Sequence, residues 1–484
     1  MFQPATGKIT RNTFYLTASY VAQKILALVY FTLLARHFGA SGLGQYVFAL
    51  SFVTMFSIAT DLGINTVITK ETAKDPRWPQ AHLGLVLLLK IILALIAYGG
   101  LVLTINALGY PDLTRHMVYL AGIFMLMDSF TASFYAIFRG WQKIKYEGIG
   151  TVMQQSLLLI IGGAFLLLNF PLLYFIGIFL IASLANFTFA AILLYRHGGL
   201  KLNFHPEKKL IVNLAVLAAP FALAGIFTRI YAAADSVILS KISGDSAVGI
   251  YSSAYKLTFA LQFIPIAFGA SIFPAFSNYY HHSRDHLART FDKAWRYLLV
   301  IALPIAAGSF VLAPEIIQLI YGSQFAAAAL PLRVLMASLV LIFLFHPTSS
   351  LLNACNRQSA NTLNLGLAMA VNVLLNFLLI PKFSYLGASW AVFFSYALLV
   401  GLNLFHVRAI LGRQVLSLFK SFAAILVASL LMGLGVFYLK GYLFFLWLII
   451  PAAIFYLLLL FWWRVLKKDD LISLLKIKSL SLTA

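Results

Sequence analysis

Lys24 and Arg229 are cations set in long apolar runs, and they hold matching places in two halves of the chain. Aligning ARHFGASGLGQY, from Ala35, with SKISGDSAVGIY, from Ser240, superposes Gly39 on Gly244, Ser41 on Ser246, Gly44 on Gly249 and Tyr46 on Tyr251. The same offset pairs Lys24 with Arg229 and Arg36 with Lys241. A cation inside a membrane helix is costly and marks function by default, so one that recurs in an internal repeat points to transport of an anion. Arg presents a fixed fork of donors that suits phosphate. Lys256, in the eighth span, is a further candidate for an anionic headgroup. The carboxylates Asp61, Asp128 and Asp235, with Arg36 and Lys241, are candidates for gating or ion coupling. Asp128 falls at about the level of Lys24, which makes it a partner for that lysine or a proton or sodium relay. Asp61 lies nearer the cytoplasmic end of the second span and can pair with a basic residue there or couple an ion. Asp235 follows Arg229 by six positions, some 120° around an ideal helix, so a direct pair is not expected. Lys90 is a weaker candidate, since its apolar neighbours allow a lipid-facing or snorkelling side chain.

These residues must be carried by membrane helices. Hydrophobic residues make up 62% of the 484-residue chain and charged residues 10%, with a mean hydropathy of +0.92; soluble domains run at about 45–50% and about 25%. Apolar stretches of about 20 residues, long enough to cross hydrocarbon as a helix, recur from Thr13 to Trp463. The alternating segments of about 10 residues that mark a transmembrane β-barrel are not seen. An all-α, polytopic membrane protein of about fourteen transmembrane helices is expected. Lys24 lies about eleven residues into the first span, roughly 16 Å deep and close to midplane. Arg229 matches that depth if the membrane part of helix seven begins near Pro220 rather than Ile211. The repeat covers about six helices, an even number, so its halves run parallel about an axis along the membrane normal, with a substrate site between them. The expected organisation is a six-helix lobe over 1–205, a second over 206–412, and two further membrane helices with a basic tail over 413–484. RHGGLKLNFHPEKK, Arg196 to Lys209, suits a cytoplasmic linker between lobes. The GLG and SGD turns are sharp outer connections whose glycines allow positive φ.

With 35 Lys+Arg against 14 Asp+Glu, the formal net charge is +21. In a soluble protein that balance would suggest nucleic acid; here it reports topology, and no nucleic-acid partner is expected. Basic residues recur in alternate loops, at Lys70, Lys74 and Arg77, at Arg139, Lys143 and Lys145, and at Arg284, Arg289 and Lys293. The positive-inside rule then puts both termini in the cytoplasm, and a multi-pass protein of the cytoplasmic (inner) membrane is expected. The single Cys355 excludes an intramolecular disulfide and a cysteine-based metal cluster. The N-terminus lacks a cleavable secretory signal, so the first span is expected to be retained. His282 and His286 are spaced to share a helix face, which allows a metal site, but their basic surroundings favour an amphipathic surface helix that attracts anionic headgroups. There is no P-loop, GxGxxG, GxSxG or HExxH motif, so neither an enzyme nor a cofactor is expected. The driving energy must come from an H+ or Na+ gradient, the substrate gradient or a partner. Tyr20, Tyr30, Tyr231, Tyr251 and Tyr255 can stack on sugar faces or fill the bundle core.

The stretch from Thr13 to Asp75 combines a first helix, a basic residue ahead of a G-x-x-x-x-G turn with a following aromatic, Asp61-Leu62-Gly63, and a basic–acidic pair entering a cytoplasmic loop. It resembles the polysaccharide flippase family of the multidrug/oligosaccharidyl-lipid/polysaccharide exporter superfamily, and the resemblance covers essentially the full chain. The resemblance implies two six-helix lobes in a V shape and alternating access. It also implies movement of an undecaprenyl-pyrophosphate-linked oligosaccharide, such as an O-antigen unit, from the inner to the outer leaflet. A polysaccharide polymerase and a chain-length regulator are the partners to consider. Similarity to lipid II flippases implies pyrophosphate binding by Lys24 and Arg229, and a groove for the prenyl chain at helices thirteen and fourteen. Two alternatives stand. A multidrug or toxin antiporter of the same superfamily would exchange ions at Asp61 or Asp128, and central cations count against it. A membrane-embedded glycosyltransferase or polymerase on the same carrier would show a large outer loop or a catalytic acidic cluster, and the outer loops are short.

Overall fold

The structure, a computed structural model, describes residues 6–198, 208–412, 417–463 and 465. The expected interlobe linker and basic C-terminal tail lie largely outside the described residues. In hydrocarbon no water satisfies backbone N–H and C=O groups, so spanning segments must bond internally, and every regular element among the described residues is a helix. In order they are α1 (Thr6–Ser57), α2 (Ile64–Lys74), α3 (Trp78–Ala107), α4 (Asp112–Gly140), α5 (Lys145–Leu167), α6 (Leu172–Gly198), α7 (Lys208–Ser243) and α8 (Asp245–Ala260). Then come α9 (Phe263–His282), α10 (Arg284–Val311), α11 (Ala313–Tyr321), α12 (Ala329–Ala354), α13 (Gln358–Phe383), α14 (Tyr385–Leu411), α15 (Ser417–Leu439) and α16 (Phe445–Trp462).

Among the described residues, thirteen stretches are long and apolar enough to cross a membrane, against about fourteen expected. The difference has one source. Ala18–Thr60 counts as a single stretch of 43 residues, roughly 65 Å of helix and twice the hydrocarbon thickness. It is broken at Gly39, whose φ of 66° and ψ of −172° are not helical, and a crossing on each side restores the expected number. Gly244, its repeat mate, separates α7 from α8 with a φ of 80°. The first of the expected turns is therefore at Gly39, ahead of the GLG triplet, because Gly39 is the glycine in the left-handed region that side chains avoid.

Contacts divide the chain into two compact units, Met1–Gly249 and Ile250–Ala484. In the first, α1 packs on α4, α5 and α7, and α4 packs on α2 and α6. In lipid, helices associate through close approach of small residues and polar links rather than the hydrophobic effect. Gly44 and Gly249 show this reciprocally: a Cβ on Gly44 would strike the Asp245 carbonyl, and one on Gly249 would strike the Ala40 carbonyl. Since Ala40 and Asp245 are themselves repeat mates, the contact repeats its own geometry, as across a pseudo-two-fold axis.

In the second unit, α10 packs on α12 and α15, α12 on α9 and α14, α13 on α14, and α15 on α16. Phe291, Trp295, Leu299, Leu351 and Val407 belong to its buried core. A buried polar link ties three of these helices: Asn364 Nδ2 donates to Asn403 Oδ1 at 2.9 Å, and Asn403 Nδ2 donates to Thr348 Oγ1 at 3.2 Å. The expected shared face for His282 and His286 does not form. Ser283 is extended, with φ −162° and ψ 107°, and caps α10, so His282 ends one helix and His286 begins the next.

Candidate functional site

The site begins with a broken helix. After Ser57 the chain makes a 3-10 turn over Ile58–Thr60 and passes through Asp61, Leu62 (φ 42°) and Gly63 (φ 82°) before α2 starts. Gly63 is required here twice over, by its φ and because a side chain would collide with the backbone of α7 at Ala218 and Ala222. Irregular backbone at membrane depth is tolerated only where it is buried in protein or lines a wet cavity, and this break packs against α7 and lines a polar cavity. The first amides of a helix have no intrahelical acceptor; here Asn65 N–H donates to Asp61 Oδ1 at 3.0 Å.

Lys90 of α3 closes the break from behind. Its side chain is 1% exposed, and Nζ donates to Ser129 O (2.8 Å), Ser129 Oγ (3.1 Å) and Asn65 Oδ1 (3.2 Å), with Asp61 Oδ1 at 3.6 Å. Ser129 Oγ donates to Thr60 O at 3.3 Å, which satisfies a carbonyl at the break. The lipid-facing alternative for Lys90 is thus overturned: an ammonium buried in hydrocarbon needs acceptors for its three donors, and the interrupted helix supplies them. The clue in the sequence is the opposite charge of Asp61 on an adjacent span.

In front of the break lies a cavity of about 440 Å³, contained within the first unit. Thr54, Ser57, Thr60, Asp61 and Asn65 line one wall, Asp128 and Ser129 of α4 another, and Phe124 and Phe179 an apolar patch, with Arg229 reaching in from α7. The Phe124 and Phe179 rings stack with centroids 5.1 Å apart. Asp128 accepts from Gln154 Nε2 at 3.2 Å. Gln154 also donates to Ser183 Oγ (2.9 Å) and accepts from Asn186 Nδ2 (3.0 Å), and Asn186 Oδ1 accepts from Tyr135 OH (2.5 Å). The chain of amides fixes which end of Gln154 faces the carboxylate, so Asp128 meets a donor.

Asp61, Asp128 and Arg229 thus meet at one cavity, and the other candidates do not. Lys24 is exposed on α1, outside the cavity; neither it nor Arg229, also exposed, has an ion-pair or hydrogen-bond partner among the described residues. The pairing considered for Lys24 and Asp128 is not formed. Arg36 is exposed on α1. Lys241 is exposed near the end of α7, where Nζ donates to Leu108 O at 2.7 Å and lies 5.2 Å from the Tyr110 ring centroid. Asp235 is buried on α7, and Lys256 is half-buried on α8 in the second unit. Tyr30, Tyr231 and Tyr251 are buried and Tyr20 is exposed; the aromatic rings at the cavity are instead Phe124 and Phe179. No group of three or more His, Cys, Asp or Glu side chains placed to hold a metal occurs among the described residues. In the second unit an apolar groove of about 770 Å³ runs between α10, α12 and α15, with Leu303, Leu341, Leu426 and Leu430 among its walls.

The pattern of the polysaccharide biosynthesis protein family matches residues 9–280, and that of MatE matches residues 220–378. The chain is 22% identical over 368 residues to the probable low-salt glycan biosynthesis flippase Agl15 of Haloferax volcanii, covering 76% of each protein. It is 21% identical over 410 residues to the capsular polysaccharide biosynthesis protein CapF of Staphylococcus aureus, covering 83% of this chain and 100% of that one. Among solved structures, the lipid II flippase MurJ in an inward closed conformation matches with a TM-score of 0.76 at 17% identity, over 93% of this chain and 98% of that one. That last likeness is one of fold. The first match spans more than half of the sequence, and the chain belongs to the polysaccharide biosynthesis protein family.

Proposed function

We propose that the protein is a flippase that moves an undecaprenyl-pyrophosphate-linked oligosaccharide from the inner to the outer leaflet of the cytoplasmic membrane by alternating access. The observation that carries this reading is the pair Lys24 and Arg229: two exposed cations at matching repeat positions on membrane-spanning helices, without partners among the described residues. A structural cation in a membrane helix is paired with a carboxylate or backbone carbonyls, as Lys90 is. Unpaired cations on such helices serve an anion that comes and goes. Carrying a sugar–pyrophosphate headgroup through hydrocarbon would strip hydration from charges and hydroxyls at several kcal/mol each, and a hydrated cationic path removes most of that penalty.

In this scheme Lys24 and Arg229 bind the pyrophosphate, with Lys256 as a third cation. Asp61, Asp128 and Asp235 are the groups for coupling to H+ or Na+, and Arg36 and Lys241 act at the gates. Segments 1–205 and 206–412 serve as the two moving lobes, and the apolar groove of the second unit takes the prenyl tail. Both termini face the cytoplasm, and a polysaccharide polymerase and chain-length regulator receive the product. The names of Agl15 and CapF support a role in cell-surface glycan assembly. The MatE match and the carboxylates at the cavity favour a second reading, an ion-coupled multidrug antiporter.

Proteoliposomes containing this protein alone separate the two. Translocation of a pyrophosphate-linked oligosaccharide, accelerated by an imposed proton or sodium gradient, is the expected outcome. Movement of cationic dyes with no glycan movement under any gradient would favour the antiporter.

A further inference from the structure

We infer that the 440 Å³ cavity in front of the broken helix is a sugar subsite, and that it holds the first one or two pyranose rings next to the pyrophosphate. This inference rests on the flippase reading and adds where, and by what chemistry, the glycan is read.

Charge comes first. The cavity's two carboxylates, Asp61 and Asp128, are matched by two cations, Lys90 buried behind Asp61 and Arg229 at the cavity. A pyrophosphate seated inside would face both carboxylates, and a lipophilic cation would face Arg229. A neutral solute meets neither conflict.

Hydrogen bonding narrows the class further. Thr54, Ser57 and Thr60 each donate their hydroxyl proton to a carbonyl of their own segment, Leu50 O, Thr54 O and Ser57 O, all at 2.7 Å. Their oxygens are left as acceptors, beside the carboxylates of Asp61 and Asp128. Asn65 Oδ1 is taken by Lys90 and by Ser133 Oγ (2.8 Å), which leaves the Asn65 amide protons as donors. The walls thus offer many acceptors and few donors, so the fitting ligand is one rich in O–H and N–H groups. The apolar patch of Phe124 and Phe179 suits the C–H face of a pyranose ring. An acceptor-rich site also attracts a small cation such as the coupling ion proposed above, but an ion fills only a small part of this volume. A cavity of about 440 Å³ with an aromatic wall is instead of small-molecule size, in the usual range of roughly 300–1,000 Å³. Arg229, exposed at the cavity, is placed for the phosphate that must adjoin the first sugar.

The test uses the full chain in proteoliposomes and two probes, undecaprenyl pyrophosphate and undecaprenyl-pyrophosphoryl-N-acetylglucosamine. Ala132→Phe fills the cavity and Thr54→Val removes an uncharged acceptor at nearly constant volume, and neither alters the carboxylates given to ion coupling. Each is expected to slow the sugar-bearing probe at least about tenfold more than the sugar-free one, while Arg229→Ala slows both. Equal slowing of the two probes by both cavity variants, or no slowing by either, would overturn the subsite. If wild type moves neither probe the flippase reading fails, and the subsite is then judged by binding alone. In a Cys355→Ser background, alkylation of Ala132→Cys should be slowed by methyl N-acetylglucosaminide both with and without sodium chloride. Protection by sodium alone, or by neither, overturns the sugar assignment.

Discussion

At the scale of single residues, the contrast between Lys90 and the pair Lys24 and Arg229 organises the chemistry. Lys90 is 1% exposed and fully engaged, so its role is to hold the break in place. Removing one partner of a buried pair costs about 3–5 kcal/mol, because the other charge is left without compensation. Lys90→Met should therefore lower thermal stability in detergent sharply. Asp61→Asn should cost less, since Asp61 is 27% exposed and its amide retains an oxygen for the Asn65 N–H. The double variant should recover part of the loss; strict additivity of the two would mean that the pair is not coupled. Lys24→Arg should transport better than Lys24→Glu with no difference in stability, because nothing among the described residues depends on that side chain. The sequence marked Asp61, Asp128 and Arg229 as groups of interest, and the structure brings them to one cavity. It could not mark Lys90 as central, because burial against an interrupted helix depends on which face of α3 turns inward. The partners of Asp128 were equally illegible, since Gln154, Ser183 and Asn186 are polar residues on other helices with no pattern that links them in sequence.

At the scale of elements, the reciprocal close approach of Gly44 and Gly249 is the most sharply testable contact. Gly44→Val and Gly249→Val each drive a side chain into a carbonyl of the facing element, and overpacking of this kind costs about 1–3 kcal/mol. The two should be markedly non-additive in thermal unfolding, because each opens the same contact. Additive losses would show two independent contacts. Cys355, just past the end of α12, is 1% exposed, and burial pushes its thiol up to about 11, against the opposite pull of Arg284 and Arg357. A raised value keeps the thiol protonated below that pH, and the thiolate is the nucleophile. Native protein at pH 7 should therefore resist maleimide until it is unfolded, and stoichiometric labelling of the folded form would contradict the burial. Helix number was legible because about 20 apolar residues leave the chain few options in lipid. The turn register was not, since any of three nearby glycines could reverse the chain and only φ distinguishes Gly39. The histidine run misled for the same reason: i,i+4 spacing matters only if the helix continues, and Ser283 ends it.

At the scale of the whole molecule, composition specified a membrane protein, and the repeat singled out the cations to which the proposal gives anion binding. The chain belongs to the polysaccharide biosynthesis protein family, and it carries two exposed cations without partners among the described residues, a polar cavity with two carboxylates, and an apolar groove, to which the proposal assigns phosphate, sugar and prenyl chain in turn. The most direct measurement is leaflet translocation of a pyrophosphate-linked oligosaccharide in proteoliposomes, comparing wild type with Lys24→Ala, Arg229→Ala and the double variant at equal incorporation. Loss of at least about tenfold in each single variant and no transport in the double is the expected result. Wild-type rates in a folded double variant would contradict it.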